Sequence, residues 1–282
     1  MTKFGPSGNS DSFYAEGYTS TEQTPKWLNE RGLDAFEYSF GRGVNISDTK
    51  ALSVREQAEK YGVEISVHAP YYINFANTDE SMIEKSYMYV TMSADKLKQF
   101  GGNRVIFHTA SLGKLSREKA VEHTKNRLKI LADKIYKAGL ADCYFCPETM
   151  GKINQIGTLE EIVEFCKIDK IFIPAIDFGH LNARTLGGIK SVEDYDKILS
   201  YIIAELGNEK AEKIHIHFSK IEYGKGGEIR HLTMADTKYG PEFEPLARLI
   251  KKYNLNPVIL SESDGTQAED AITMKKIYNE VK

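Results

Sequence analysis

Six short apolar runs in this chain each finish on a side chain able to hold a proton or a metal ion. They are Ser66-Val67-His68, Val105-Ile106-Phe107-His108, Phe145-Cys146-Pro147-Glu148, Ala175-Ile176-Asp177, Ile214-His215-Ile216-His217 and Ile259-Leu260-Ser261-Glu262. Pro70 lies two residues past His68, and proline lacks the N–H that a strand ladder needs. The strand therefore stops and leaves the imidazole at its carboxyl end. Alternation puts Ser66 with His68, Ile106 with His108 and His215 with His217 on one face, with branched neighbours on the other. Side by side, such strands bring His68, His108, Glu148, Asp177, His217 and Glu262 into one cavity, joined by His180 three residues past Asp177. Buried ions left uncompensated are costly, and Lys220, Lys225 and Arg230 lie on a loop from which they cannot neutralise the whole set. Bound divalent metal answers that need. An imidazole-rich set with mixed carboxylates favours zinc, with manganese or iron as alternatives, over magnesium or calcium.

Taken singly, a strand-end histidine is more often a hydrogen-bonded core residue than a ligand, and Glu148 or Glu262 could pair with a loop arginine. Jointly that reading weakens. Of the seven histidines, His68, His108, His180, His217 and His231 all fall at or just after the ends of apolar runs or in the loop after the run that ends at His217. His123 lies in a helical pattern and reads as a surface residue. His215 faces inward one layer deeper than His217, as a hydrogen-bonded support for it. Glu37, inside the run Asp34–Phe40, has no assigned role.

The elements that must position these side chains alternate from end to end. Strands are expected near Lys3–Gly5, Asp34–Phe40, Glu64–His68, Arg104–His108, Cys143–Glu148, Ile171–Asp177, Lys213–Phe218 and Pro257–Ser261. Helices fall between them. A first is expected around Pro25–Arg31 and long ones over Glu80–Phe100 and Arg117–Ala138; others cover Val192–Leu206 and about Glu242–Tyr253. Capping boxes at Ser53-Val54-Arg55-Glu56 and Thr158-Leu159-Glu160-Glu161 start two more, and Thr266-Gln267-Ala268-Glu269 opens the last. Eight βα units without a break in composition imply a single (β/α)₈ TIM barrel over residues 1–282, with its metal site at the C-terminal face of the strands. A doubly wound sheet would show an early glycine fingerprint, and none is present.

Composition narrows the function classes. Hydrophobic residues at 41% supply a core, and no run approaches the roughly 18 apolar residues of a membrane helix. The N-terminal residues lack a signal-peptide pattern, so the cytoplasm is the expected compartment. A formal net charge of −3 gives no global attraction to nucleic acid, so phosphate must be held by a local patch or a metal. Cys143 and Cys146 have CxxC spacing, but residues three apart on a strand point to opposite faces, which argues against a dithiol.

With its motifs assembled, the sequence resembles the endonuclease IV family of apurinic/apyrimidinic-site endonucleases. The resemblance spans nearly the whole chain. It rests on Ser66-Val67-His68-Ala69-Pro70-Tyr71, His108, Pro147-Glu148-Thr149, Ile176-Asp177-Phe178-Gly179-His180, His217-Phe218-Ser219-Lys220, Arg230-His231 and Leu260-Ser261-Glu262. The resemblance implies a monomeric base-excision-repair hydrolase with two or three zinc ions that cuts double-stranded DNA 5′ to an abasic site. Glu148 would bridge two ions and hold the attacking hydroxide, and His68, His108, Asp177, His180, His217, His231 and Glu262 would complete the ligand set. Tyr71 and Tyr72 occupy positions that enter DNA near the lesion, where aromatic rings stack on an unpaired base. Arg42, in Phe40-Gly41-Arg42-Gly43, suits a phosphate or minor-groove contact.

One position departs from that pattern. The family places an aspartate two residues before the last histidine ligand, and Ile229 stands there. Isoleucine cannot bind metal; Glu228 beside it, or Asp236 further along, is the available carboxylate. Two other readings compete. A sugar isomerase or epimerase needs one metal on Glu148, Asp177, His217 and Glu262, and leaves His68, His108, His180 and His231 without a task. A lesion-binding protein whose catalytic centre has decayed would explain Ile229 but not the remaining ligands.

Overall fold

The apolar runs become the parallel strands of a closed barrel: β1 Lys3–Pro6, β2 Ala35–Ser39, β3 Glu64–His68, β4 Arg104–Phe107, β5 Tyr144–Pro147, β6 Ala175–Asp177, β7 His215–Phe218 and β8 Val258–Ser261. The computed structural model describes residues 1–281. Pairing runs β2-β3-β4-β5 in one half and β6-β7-β8-β1 in the other. The bridges Ser7–Glu37, Phe145–Phe172 and Glu148–Ala175 join the halves. Outward-facing Phe36, Val67, Phe107, Phe145, Ile176, Ile216 and Ile259 pack in the large core under the helices. Inside the barrel, Ile106, Cys146, Ile173 and Ala175 form a smaller apolar cluster. The polar strand ends line the mouth of the barrel.

Among the described residues ten α-helices surround the strands: α1 Asp11–Ala15, α2 Thr24–Asn29, α3 Asp48–Tyr61, α4 Glu80–Phe100, α5 Arg117–Lys137, α6 Leu159–Cys166, α7 Phe178–Arg184, α8 Val192–Ala211, α9 Phe243–Lys252 and α10 Gln267–Glu280. The Thr158 box closes in both directions, with Glu161 N donating to Thr158 Oγ1 at 3.2 Å and Thr158 N to Glu161 Oε2 at 2.9 Å. The Ser53 box does not form. Helix α3 starts at Asp48 under Ser47, whose Oγ accepts from Lys50 N at 3.3 Å, and Ser53 lies inside the helix. Its first turn is polar and exposed, so apolar periodicity starts a turn late. The sixth strand is also shorter than expected. Pro174 cannot donate, so the ladder covers only Ala175–Asp177. Helix α8 runs beyond Leu206 to Ala211, with a break at Gly207.

Two additions crown the barrel mouth. Ala110–Ser111 pairs antiparallel with Gln155–Ile156, and Ile221–Gly224 forms a hairpin with Gly227–His231 inside the long segment after β7. Among the described residues no helix is long and apolar enough to cross a membrane.

Candidate metal centre

Among the described residues three groups of ligand-type side chains meet at the carboxyl ends of the strands, His68, His108 and Glu148; Glu148, Asp177, His217 and Glu262; and His180, Glu228 and His231; a fourth, Glu37, His215 and His217, lies beneath them. Within each group the donor atoms lie within 4.8 Å of one another. Glu148 belongs to two of them, and its oxygens divide between them. Oε2 is 3.1 Å from His68 Nε2 and 3.2 Å from His108 Nε2, while Oε1 is 2.9 Å from His217 Nδ1. Glu262 Oε1 stands 3.5 Å from His217 Nδ1, and Asp177 Oδ2 3.4 Å from His180 Nδ1. A cavity of about 250 Å³ opens over them, lined by His68, His108, His180, Glu228, His231 and Glu262, with Lys152 at its edge.

Most of these histidines have one ring nitrogen held by a neighbour. His68 Nδ1 donates to the Ala69 carbonyl and His180 Nδ1 to the Thr149 carbonyl, each at 2.9 Å. His231 Nδ1 is 2.8 Å from Ser219 Oγ. That leaves each Nε2 turned to the cavity, the arrangement in which a neutral imidazole binds a cation. His180 reaches its place because α7 follows β6 at once, and Asp177, as its N-cap, accepts from His180 N at 2.6 Å. Sequence periodicity gave no sign of that seven-residue helix.

The hairpin's donor group takes its carboxylate from Glu228, beside Ile229. On a regular strand Glu228 and His231 would face opposite ways, being three apart. The hairpin register shifts by one between Glu222 and Tyr223: Arg230 pairs with Glu222 and Glu228 with Tyr223, leaving Ile229 as the extra, bulged residue. The bulge restores a common direction. Glu228 Oε2 lies 3.5 Å from His180 Nε2 and Oε1 lies 4.0 Å from His231 Nε2. Ile229 points outward, 57% exposed.

Two glycines let the hairpin dock so closely. Gly227 adopts φ +88, and a Cβ there would lie 2.2 Å from the Gly151 carbonyl oxygen; one on Gly151 would lie 2.6 Å from Glu228 Cβ and 2.9 Å from His180 Cδ2. Glu228 N donates to Gly151 O at 3.1 Å. Two arginines brace the Gly151 loop from outside. Arg184 donates to the carbonyls of Met150, Lys152 and Gln155 at 2.8 to 2.9 Å, and Arg117 donates to those of Ile153 and Gln155 while pairing with Glu161 at 2.7 Å.

Beneath the mouth lies an acid to which the sequence had assigned no part. Glu37 is wholly buried between His217 Nε2 at 3.0 Å and His215 Nε2 at 3.2 Å, and accepts from Ser7 Oγ at 3.0 Å and Ser66 Oγ at 3.1 Å. Alternation carried the signal, since Ala35, Glu37 and Ser39 share the inward face of β2. His215 sits below His217 as expected, and burial pulls its imidazole down to about 4.

The remaining groups hold one another's charge. Burial pushes Glu148 up, but His217, His108 and His68 outweigh it and keep its carboxyl well below the usual range. Burial likewise opposes charge on His68 and His180, yet the surrounding carboxylates lift both to about 9. Asp177 goes the other way: burial raises it to about 6, and its Oδ2 is buried without a hydrogen-bond partner. A buried carboxylate oxygen with no donor, among turned-in imidazole nitrogens, fits divalent cations.

Other expected residues lie outside these groups. Tyr71 and Tyr72 stand on the rim, each 48% exposed, with ring centroids 4.3 Å apart and hydroxyls 3.1 Å apart; Arg42 faces the Tyr71 hydroxyl. His123 is half-buried on α5, away from the mouth, with Nδ1 enclosed. Cys143, Cys146 and Cys166 are free and buried.

The chain is 32% identical to an uncharacterised protein of Methanocaldococcus jannaschii, over 90% of each chain. It is 30% identical to a probable endonuclease 4 of Acholeplasma laidlawii, over 68% of this chain and 70% of the relative. A solved D-tagatose 3-epimerase-like protein superposes with TM-score 0.74 at 20% identity, covering 99% of this chain and 96% of that one, a likeness of fold alone. The xylose isomerase-like TIM barrel family model matches residues 25–277. The chain belongs to the xylose isomerase-like TIM barrel family and counts endonuclease IV-like proteins among its relatives.

Proposed function

We propose that this protein is a zinc-dependent phosphodiesterase that cuts double-stranded DNA 5′ to abasic sites, working as a monomer in the cytoplasm. The observation that carries the reading is the third donor group, His180, Glu228 and His231, beside the two that share Glu148. A one-metal proton shuttle has no use for it. His68, His108 and Glu148 would hold one cation, Glu148 with Asp177, His217 and Glu262 a second, and His180, Glu228 and His231 a third. Bound together, such cations activate water and stabilise charge on both the entering and the leaving oxygen of a phosphodiester.

The protein's own side chains supply the rest. Glu148 ties two donor groups together through separate oxygens, so it fixes their spacing. The carbonyls of Ala69 and Thr149 and the Ser219 hydroxyl hold the imidazoles in one orientation, which saves reorganisation during the reaction. Tyr71 and Tyr72 offer a stacking platform for the base left without a partner, and Arg42 a contact to backbone phosphate. Lys152, the one lysine or arginine lining the cavity among the described residues, can orient a phosphate oxygen.

The test is incubation of a duplex carrying one tetrahydrofuran abasic analogue, with and without chelator. Chelator-sensitive incision 5′ to the analogue, abolished in Glu148→Gln, supports the reading. Failure to cut with zinc, manganese or cobalt, by folded and metal-loaded protein, overturns it. The second reading, a sugar epimerase, is supported by the likeness of fold to the epimerase-like protein and by the group Glu148, Asp177, His217 and Glu262. It expects about one ion per chain and turnover of a ketose.

A further inference from the structure

We propose that Glu37 is the positioning residue that selects which nitrogen of His217 faces the metal cavity. The inference deepens the metal-centre reading and rests on it. His68, His180 and His231 are each oriented through Nδ1 by a neutral oxygen, and present Nε2. His217 is the reverse. Its Nε2 points down to Glu37 Oε1 at 3.0 Å, and its Nδ1 points up, 2.9 Å from Glu148 Oε1 and 3.5 Å from Glu262 Oε1.

Position on the strand explains the difference. His217 lies within β7, one register step from its end, so its ring stands across the barrel axis between two layers of carboxylate. An imidazole there with its proton on Nδ1 would set N–H against the cations and a bare nitrogen against an anion. Glu37 removes that choice, because an ionised carboxylate accepts and cannot donate. Its own orientation is fixed on both oxygens. Ser7 Oγ joins His217 at Oε1, while Ser66 Oγ and His215 Nε2 occupy Oε2. With donors already on both oxygens, Glu37 is a poor ligand for a further cation and a firm anchor for His217. A carboxylate behind a metal-binding imidazole also makes the ring a stronger donor than a carbonyl does.

Zinc uptake and the ring tautomer test this without recourse to turnover. Two-bond ¹⁵N–¹H spectra of the zinc-loaded wild type, with His217 assigned by substitution, are expected to show the proton on Nε2 and the metal on Nδ1. Titration of zinc against a chromophoric chelator is expected to show one ion held about 10- to 100-fold more weakly in Glu37→Gln. Ser66→Ala, which removes one donor to Glu37 and leaves the barrel filled, should weaken the same ion less. Ligation of His217 through Nε2, or wild-type zinc affinity in a folded Glu37→Gln or in Ser66→Ala, overturns the proposal. Absence of any zinc uptake by the wild type would instead overturn the metal-centre reading beneath it.

Discussion

Replacing Gly151 by alanine adds one methyl group at the place where the hairpin meets the barrel. The new Cβ would lie 2.6 Å from Glu228 Cβ, 2.7 Å from Glu228 Oε2 and 2.9 Å from His180 Cδ2. Carbon atoms settle at about 3.5 to 4.0 Å, so Glu228 must retreat by roughly 1 Å. Gly151 has no positive φ, so alanine brings no backbone strain and the effect is steric. Metal-ligand bonds of about 2.0 to 2.2 Å do not survive such a shift. Overpacking costs the fold only about 1 to 3 kcal/mol. The expected result is a folded protein whose zinc titration loses one ion, weakened about 10- to 100-fold, with the ions around Glu148 unchanged. A double-mutant cycle isolates the cause. If the methyl acts through Glu228, then Gly151→Ala should cost nothing further in a Glu228→Ala background. Wild-type zinc binding by Gly151→Ala, or additive losses in the cycle, would refute the reasoning.

Other expectations follow from the same geometry. Zinc competes with protons on His68 and His180, both lifted to about 9, so uptake at pH 7 should release protons and affinity should climb with pH until about 9. Calorimetry in buffers of different ionisation enthalpy measures that release, and uptake without it would contradict the assignment. Below about pH 6, Asp177 also takes up a proton and binding should fall more steeply. Arg184→Ala removes charged hydrogen bonds from the Met150–Gln155 loop and should cost about 2 to 3 kcal/mol by chemical denaturation, with the ion at His180 and Glu228 lost first. Tyr71→Ala with Tyr72→Ala should weaken binding to abasic duplex by about 1 to 3 kcal/mol per lost stack, read by anisotropy, and leave undamaged duplex less affected.

What the sequence disclosed tracks how each side chain is placed. His68, His108, Glu148, Asp177, His217 and Glu262 sit on or directly after strands, and the two-residue alternation of a strand is short-range information. Their convergence follows once eight βα units close a barrel. Glu228 was legible only as a candidate, because a bulge reverses the face of every residue beyond it and no local pattern marks one. Helix α7 is too short for periodicity, yet it places His180. Glu37 was visible as an acid inside the β2 run without a role, because its partners His215 and His217 are far away in sequence and next to it only across the barrel axis. Ser53 misled for the opposite reason: a capping pattern is common by chance, and the cap that forms is Ser47, one polar turn earlier.

Charge around the mouth ties the third donor group to the kind of substrate the cavity can accept. Glu37, Glu148, Asp177, Glu228 and Glu262 together carry five negative charges when ionised. Against them, among the described residues, the cavity wall offers the protonated imidazoles and one lysine, Lys152. One divalent ion on the Glu148 group, with protons on His68 and His180, leaves the five carboxylates without an excess of positive charge facing them, a setting that admits an uncharged sugar and offers a phosphodiester no attraction. Three divalent ions bring six positive charges to those five and turn the balance positive. Glu228 therefore acts twice. It adds a negative charge of its own, and by completing the third group it would admit the two positive charges of a bound cation. Removal of Glu228 should on this argument cost more affinity for an anionic ligand than for a neutral one. Inorganic phosphate and a ketose, compared on zinc-loaded wild type and Glu228→Gln by calorimetry, separate the two cases. Equal losses for both would mean that the third group shapes the cavity without setting its charge.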